Sequence, residues 1–460
     1  MLEQLSSINW SILSHAYGSA EDVPQMLRDL ASPDEQLRGI ARGALYTNVY
    51  HQGTVYQASA YAIPFLLELL QQETVPEREE VLILLAYLAQ GNAYHRQRWH
   101  FYTEERKHDS ALHAELEEGI LWVEKTYEAV SAGLPLYFSL LGDPAPKLRM
   151  AALRLLGSLS REAAQIASLL VERFSAEHDQ RVQASLLFTL GTLLARQEEA
   201  FPTAWHLLEK GLDKGQTDLV RLAAAMARTR GPEAPASAYD LLLERIQYPD
   251  ALDDLYNEPP WAESRLVFDV IRSFYALPPS FSSLLIPRLI QVLESLNPRE
   301  ERGELKLNGI IAGELADLLL TLVFDTNESN PTRARMRKDL THLQTALLFA
   351  ILQSDAVWRW DVGKGHSMAS QLFREEQFET IVDVRLYELQ KHGLPETRQM
   401  LRAFLCLEPQ DKDIVRIVSR KANIHWTPPE QKKEVLAELI ALNPHCRLAD
   451  LKMLVGDYSS

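Results

Sequence analysis

The sequence predicts an all-α protein, an α-solenoid in which helical hairpins stack side by side. Three observations carry that expectation. Apolar residues recur at helical spacing along most of the chain. A turn-and-helix phrase returns after 34 and then 38 residues, a period that marks stacked helix pairs. No run alternates apolar and polar residues for long enough to build a sheet, and Val357–Val362 is the only strand candidate.

Taken in order, the first copy of the phrase is Ser32-Pro33-Asp34-Glu35-Gln36-Leu37-Arg38-Gly39-Ile40-Ala41. Its Arg38 lies 111 residues before Arg149, room for three units of about 37. The stretch from Tyr94 to Lys125 then extends the third unit as an insertion. The second copy is Gly142-Asp143-Pro144-Ala145-Pro146-Lys147-Leu148-Arg149, and its helix places Leu148, Ala151, Ala152, Leu155, Leu156 and Leu159 on one face. Gly157, inside that pattern, predicts close approach of a neighbouring helix, and Ser160 marks a tight turn before Ile166, Leu169, Leu170 and Phe174. His178–Leu186 and Gln216–Ala224 open the next two units, aligned on Gln183 and Arg221. A lone pair of this kind cannot bury its apolar face, so neighbours must cover it. Tyr248–Ala262 interrupts the array, and helices resume from Glu263 to about Gly456. The chain is divided at about residue 250: a repeat array over 1–250, and divergent helical repeats over 251–460 that continue it.

These phrases resemble HEAT repeats: a turn with Asp and Pro, then a small-residue helix carrying an apolar residue, Arg and Ala. The family's Asp–Arg pair six apart is met by Asp143 and Arg149, whereas Gln183 replaces one Arg. The resemblance implies a right-handed solenoid. Trp10–Leu70 is also similar to a group of uncharacterised bacterial HEAT-repeat proteins, through Ala16-Tyr17-Gly18-Ser19-Ala20-Glu21-Asp22-Val23-Pro24, His51-Gln52-Gly53-Thr54-Val55-Tyr56 and Pro64-Phe65-Leu66. That likeness implies bacterial origin and no established activity.

Of 460 residues, 47 are Lys or Arg and 63 are Asp or Glu, a net charge of −16. Such a chain repels polyanions, so nucleic acid is not the expected partner. Two cysteines, Cys406 and Cys446, fit a reducing compartment. The N-terminus lacks the basic and apolar regions of a secretory signal, and the best apolar run, Leu82–Ala89, is far shorter than a membrane span. A cytoplasmic protein is expected.

No motif establishes catalysis, and no cofactor or metal is implied. Gly365-His366-Ser367-Met368-Ala369 mimics a nucleophile elbow, but the parallel sheet that the elbow needs is missing. His95, His100, His108 and His113 fall in two pairs spaced by five, whereas zinc-binding helices place ligands four apart. Arg96, Arg98, Trp99, His100, Tyr102, Arg106 and Lys107 mix basic and aromatic groups, as do surfaces that stack bases, yet Glu104 and Glu105 offset them. Arg333, Arg335, Arg337 and Lys338 form a second basic group beside Glu328 and Asp339.

The expected function is a non-enzymatic protein-binding scaffold or adaptor, of an immunity or regulatory kind, for a protein or peptide with a basic face. The alternative is an enzyme or enzyme subunit of the HEAT-like lyase or DNA-glycosylase type. Two partner sites are expected. One is the turn at Gly53, ringed by Tyr46, Tyr50, His51, Tyr56 and Tyr61, which either closes the end of the array or lines a pocket. The other is Tyr248–Glu263, where prolines oppose helix, Tyr256 and Trp261 would anchor a partner, and Asp253 and Asp254 would steer it. In the competing arrangement, Tyr256 and Trp261 fold back onto the helices.

Overall fold

The computed structural model describes residues 2–360 apart from 196–200, 232–233, 248–252, 257, 263–265, 297–303 and 325–339, and beyond 360 only residues 389, 392, 394, 401, 404 and 405. The elbow-like segment at Gly365, the basic group at Arg333 and both cysteines lie outside the described residues. The chain forms two units, Met1–Leu241 with Asp250–Leu266, and Leu242–Pro249 with Val267–Ser460.

The first unit opens with two short 3-10 turns and an antiparallel hairpin, β1 (Ser14–His15) and β2 (Gly18–Ser19). Helices α1 (Val23–Asp29) and α2 (Glu35–Asn48) follow, then a second hairpin, β3 (Tyr50–His51) and β4 (Thr54–Val55). The pair α3 (Gln57–Leu70) and α4 (Arg78–Ala89) leads into the insertion, α5 (Tyr94–Gln97), α6 (Glu104–Lys107) and the long α7 (Ser110–Ser131). Three further pairs come next: α8 (Leu134–Leu140) with α9 (Pro146–Leu156), α10 (Ala163–Phe174) with α11 (Gln180–Leu194), and α12 (Pro202–Gly211) with α13 (Asp218–Arg228). Helix α14 (Ala236–Gln247) starts in this unit and passes into the second at Leu242, and the single turn α15 (Asp253–Tyr256) belongs to the first.

Each of these pairs packs within itself, and the second helices stack in order, α4 on α9, α9 on α11 and α11 on α13. Burial of Leu148, Ala151, Ala152, Leu155 and Leu156 on α9, and of Ile166, Ala167 and Leu170 on α10, follows the helical spacing of the sequence. One continuous apolar core runs from Leu2 to Ala227.

The recurring phrase is the N-terminus of each second helix. Asp34, Asp179 and Thr217 accept backbone N–H bonds there and cap α2, α11 and α13. The residue at the aligned position then reaches back to close the turn. Arg38 donates to the carbonyls of Ser32 and Pro33, Arg149 to those of Asp143 and Pro144, and Gln183 to that of Glu177. The two arginines also pair with a carboxylate of a later turn, Arg38 with Glu77 at 2.9 Å and Arg149 with Glu177 at 3.0 Å. The six-residue relation of Asp143 and Arg149 thus runs through the Asp143 carbonyl. The Asp143 carboxylate instead accepts from the Ala145 N–H and from Arg78 at 3.1 Å.

Two sequence expectations change. Gly191 rather than Gly157 admits a neighbouring helix: an added Cβ would stand 2.4 Å from Ala227 Cβ, whereas one at Gly157 would meet only ordinary contacts at 3.4 Å and beyond. The strand candidate at Val357 begins in helix α20 (Asp355–Trp360), and Val362 lies outside the described residues.

In the second unit, α16 (Leu266–Ser273) opens into it from the boundary, and α18 (Glu304–Val323) carries α17 (Pro279–Ser295), α19 (His342–Gln353) and α20 against its sides. No described helix is long and apolar enough to cross a membrane.

Candidate functional site

The β3–β4 turn is built by Gln52 and Gly53, whose φ values of 49° and 88° suit a two-residue hairpin loop. So short a hairpin is marginal alone. It is fastened by the chain after α4: the Asn92 N–H donates to the Gly53 carbonyl at 2.9 Å, and the Val55 N–H donates to the Asn92 carbonyl at 3.1 Å. The Gln97 side chain donates to the Gln52 carbonyl at 3.0 Å, which ties α5 to the same turn.

The first hairpin lies alongside. The Tyr17 N–H donates to His15 Nδ1 at 3.0 Å, so the ring proton sits on Nε2 and is given to Asp22 Oδ1 at 3.0 Å. Asn48 donates to the other Asp22 oxygen. With both nitrogens engaged and the ring buried, His15 holds the loop and offers no free base. The loop projects Tyr17, which is 67% exposed. The Tyr17 ring meets His51 edge-on at 5.3 Å, with its hydroxyl 3.4 Å from His51 Nδ1.

Beneath them Thr54 Oγ1 donates to the His51 carbonyl at 2.7 Å and accepts from the Tyr56 hydroxyl at 2.7 Å. Burial pushes the Tyr56 phenol above its ordinary value, partly offset by the Thr54 bond, and Tyr94, Arg98 and Tyr17 are all near enough to act on it. The Arg98 guanidinium lies 4.0 Å from the centre of the Tyr94 ring, and Tyr94 is 40% exposed. Tyr17 against His51 and Tyr94 beside Arg98 are thus two aromatic groups near Tyr56, on turns tied by hydrogen bonds. This can present rigid aromatic rings to a partner.

The aromatic group read from the sequence divides. Tyr50 turns inward, tilted on Tyr87 at 5.4 Å, where Tyr46 also packs at 5.7 Å. Burial and then Tyr87 raise the Tyr50 phenol above its ordinary value. Tyr61 meets Trp122 of α7 at 6.1 Å, leaving His51 and Tyr56 at the hairpin face. Of Tyr17, Tyr94 and Arg98, the sequence marks only Arg98 as a candidate, in the basic and aromatic group of the insertion. Gly18 and Gly53 are the signals of the two turns, but the juxtaposition is tertiary.

At the second expected site the two rings take the competing arrangement and fold back onto the helices. Tyr256, the last residue of α15, and Trp261 beyond it do not loop out: they are 0% and 3% exposed. The Trp261 ring stacks on Phe188 of α11 at 4.5 Å and donates Nε1–H to Ser185 Oγ at 2.7 Å, and Tyr256 meets Trp261 edge-on at 5.0 Å. As placed, neither ring offers an exposed anchor. Asp253 and Asp254 belong to α15, and their side chains lie outside the described residues.

In the insertion the histidines go to separate local partners. His95 contacts Tyr102 at 2.9 Å and Glu115 at 3.1 Å, His108 the Glu104 carbonyl, and His113 the Lys107 carbonyl. Among the described residues no group of three His, Cys, Asp or Glu side chains gathers around one point. Arg106 and Lys107 pair with Asp109 and Glu104. No family model matches the chain, and no curated protein matches it.

Proposed function

We propose that this protein is a non-enzymatic binding scaffold, a cytoplasmic HEAT-like α-solenoid of bacterial type, whose hairpin face docks a partner protein or peptide. The observation that carries the reading is the rigid display of Tyr17 and Tyr94 on a hydrogen-bonded framework, since exposed aromatics with little entropy to lose are effective anchors. The ordered stacking of α4, α9, α11 and α13 supports the solenoid. A partner with a basic face suits the net charge of −16. An immunity or regulatory role is compatible with such a scaffold.

The test is affinity capture from the source cells with the wild type and with the double variant Tyr17→Ala, Tyr94→Ala. Because both rings are exposed, circular dichroism and melting should be unchanged. The partner captured by the wild type should bind the variant about 30-fold or more weakly, the loss expected of a hot spot. Equal binding by both proteins would remove the hairpin face from the interface.

A further inference from the structure

The acidic segment between α14 and α16 has an unusual path. Residues 242–249 and 267 onward belong to the second unit, but 250–266 belong to the first. The chain thus enters the first unit there to lay Tyr256, Glu258 and Trp261 across α11 and α13. Trp261 takes Phe188 and Ser185, Tyr256 points its hydroxyl at Met226 Sδ at 4.0 Å, and Glu258 forms an ion pair with Arg181.

The receiving face is organised without this segment. Helix α11 packs on α9 and α13, and α13 on α12. Arg181 is held by two bonds to Asp179, at 2.7 and 3.1 Å. Ser185 Oγ donates to the Arg181 carbonyl at 2.7 Å, which leaves its lone pairs for an incoming N–H. The Arg230 guanidinium lies 4.1 Å from the centre of the Phe188 ring and donates to Thr192 at 2.6 Å. The face therefore combines an aromatic plate, a buried acceptor and two cations. The segment brings the complement: an indole with its N–H, a tyrosine, and five acids with no Lys or Arg between Tyr248 and Glu263.

We propose that the α11–α13 face is a recognition site for an acidic, tryptophan-bearing segment flanked by prolines, and that the chain's own Trp261 segment fills it until a partner segment of the same chemistry displaces it. The site is independent of the hairpin face, and its charge preference is opposite to that of the chain as a whole. A bound segment needs the Phe188 plate and the Ser185 acceptor for its indole and the Arg181 cation for its carboxylate, so recognition depends on all three.

The probe is a fluorescently labelled synthetic peptide spanning residues 251–263, titrated against the full-length chain. Trp261→Ala should vacate the site, and the peptide should bind this variant at least tenfold more tightly than the wild type. Adding Arg181→Glu to that variant should abolish the gain. Hydrogen exchange on the wild type gives a second reading: the amides of Glu258, Trp261 and Ala262 should exchange at least tenfold faster than those in the middle of α11, by local opening. Equal peptide binding to Trp261→Ala and wild type would overturn the proposal. So would loss of helical signal in Trp261→Ala, or exchange of the Glu258, Trp261 and Ala262 amides only together with α11, since the segment would then be part of the core.

Discussion

Gly191→Ala tests how closely the second helices pack. A Cβ at this position would stand 2.4 Å from Ala227 Cβ, 2.6 Å from its Cα and 3.0 Å from its carbonyl oxygen. Carbon atoms pack at about 3.5–4.0 Å, so α11 and α13 must part by about 1 Å. The obstacle is helical backbone, which cannot rotate aside as a side chain would. Helix α11 also packs on α9, so moving it loosens a second contact. Overpacking of this kind costs about 1–3 kcal/mol, and parting the backbones puts this site at the upper end. Replacing glycine in a helix returns about 1 kcal/mol, leaving a net loss of about 2 kcal/mol. Gly43→Ala is the control. Gly43 lies on the exposed face of α2 with nothing within 4 Å of the added carbon, so only the propensity acts and the variant should gain about 1 kcal/mol. Urea unfolding followed by far-ultraviolet circular dichroism measures both. Melting temperature should move by about 2–4 °C per kcal/mol for a unit of this size, in opposite directions. If Gly191→Ala stabilised as much as Gly43→Ala, the close approach of α11 and α13 would be refuted.

Three further outcomes follow from the turn chemistry. Arg149→Met strands Glu177, which is 5% exposed, with only backbone donors, and should cost about 3 kcal/mol in chemical unfolding. Acid should weaken the fold through three carboxylates. The Arg38 hydrogen bond holds Glu77 below its ordinary value, and Arg181 does the same for Asp179; burial would raise Glu177, but bonds from the Asp179 N–H and Arg149 outweigh it. Their stabilisation is fully present above about pH 4.3 and is lost as pH falls through the lowered values, so a melting series from pH 7 to 3 should fall steeply at the acid end and less steeply in Arg38→Met. Gln52→Asn should stabilise the second hairpin by about 0.5–1 kcal/mol, because Asn tolerates the left-handed conformation that Gln52 holds at φ 49°; an unchanged or lower melting temperature would count against that strain.

Helices and their turns are local matters, and the sequence alone determined them. The spacing of Leu148 to Leu159 marks α9, and Asp34, Asp179 and Thr217 mark helix starts because a cap depends on residues only two or three positions away. The destinations of long side chains were decided only by tertiary structure. Arg149 could be matched with Asp143 by spacing, yet its carboxylate partner is Glu177, 28 residues on. Two-residue strands such as Tyr50–His51 carry no periodicity to read, and they persist because Asn92 and Gln97 arrive from elsewhere in the chain. The acids and prolines around Trp261 suggest a loop, and they say nothing of a stacking partner 73 residues earlier at Phe188. Burying an indole removes a large apolar area from water, and that gain depends on a surface which exists only after α11 and α13 have packed.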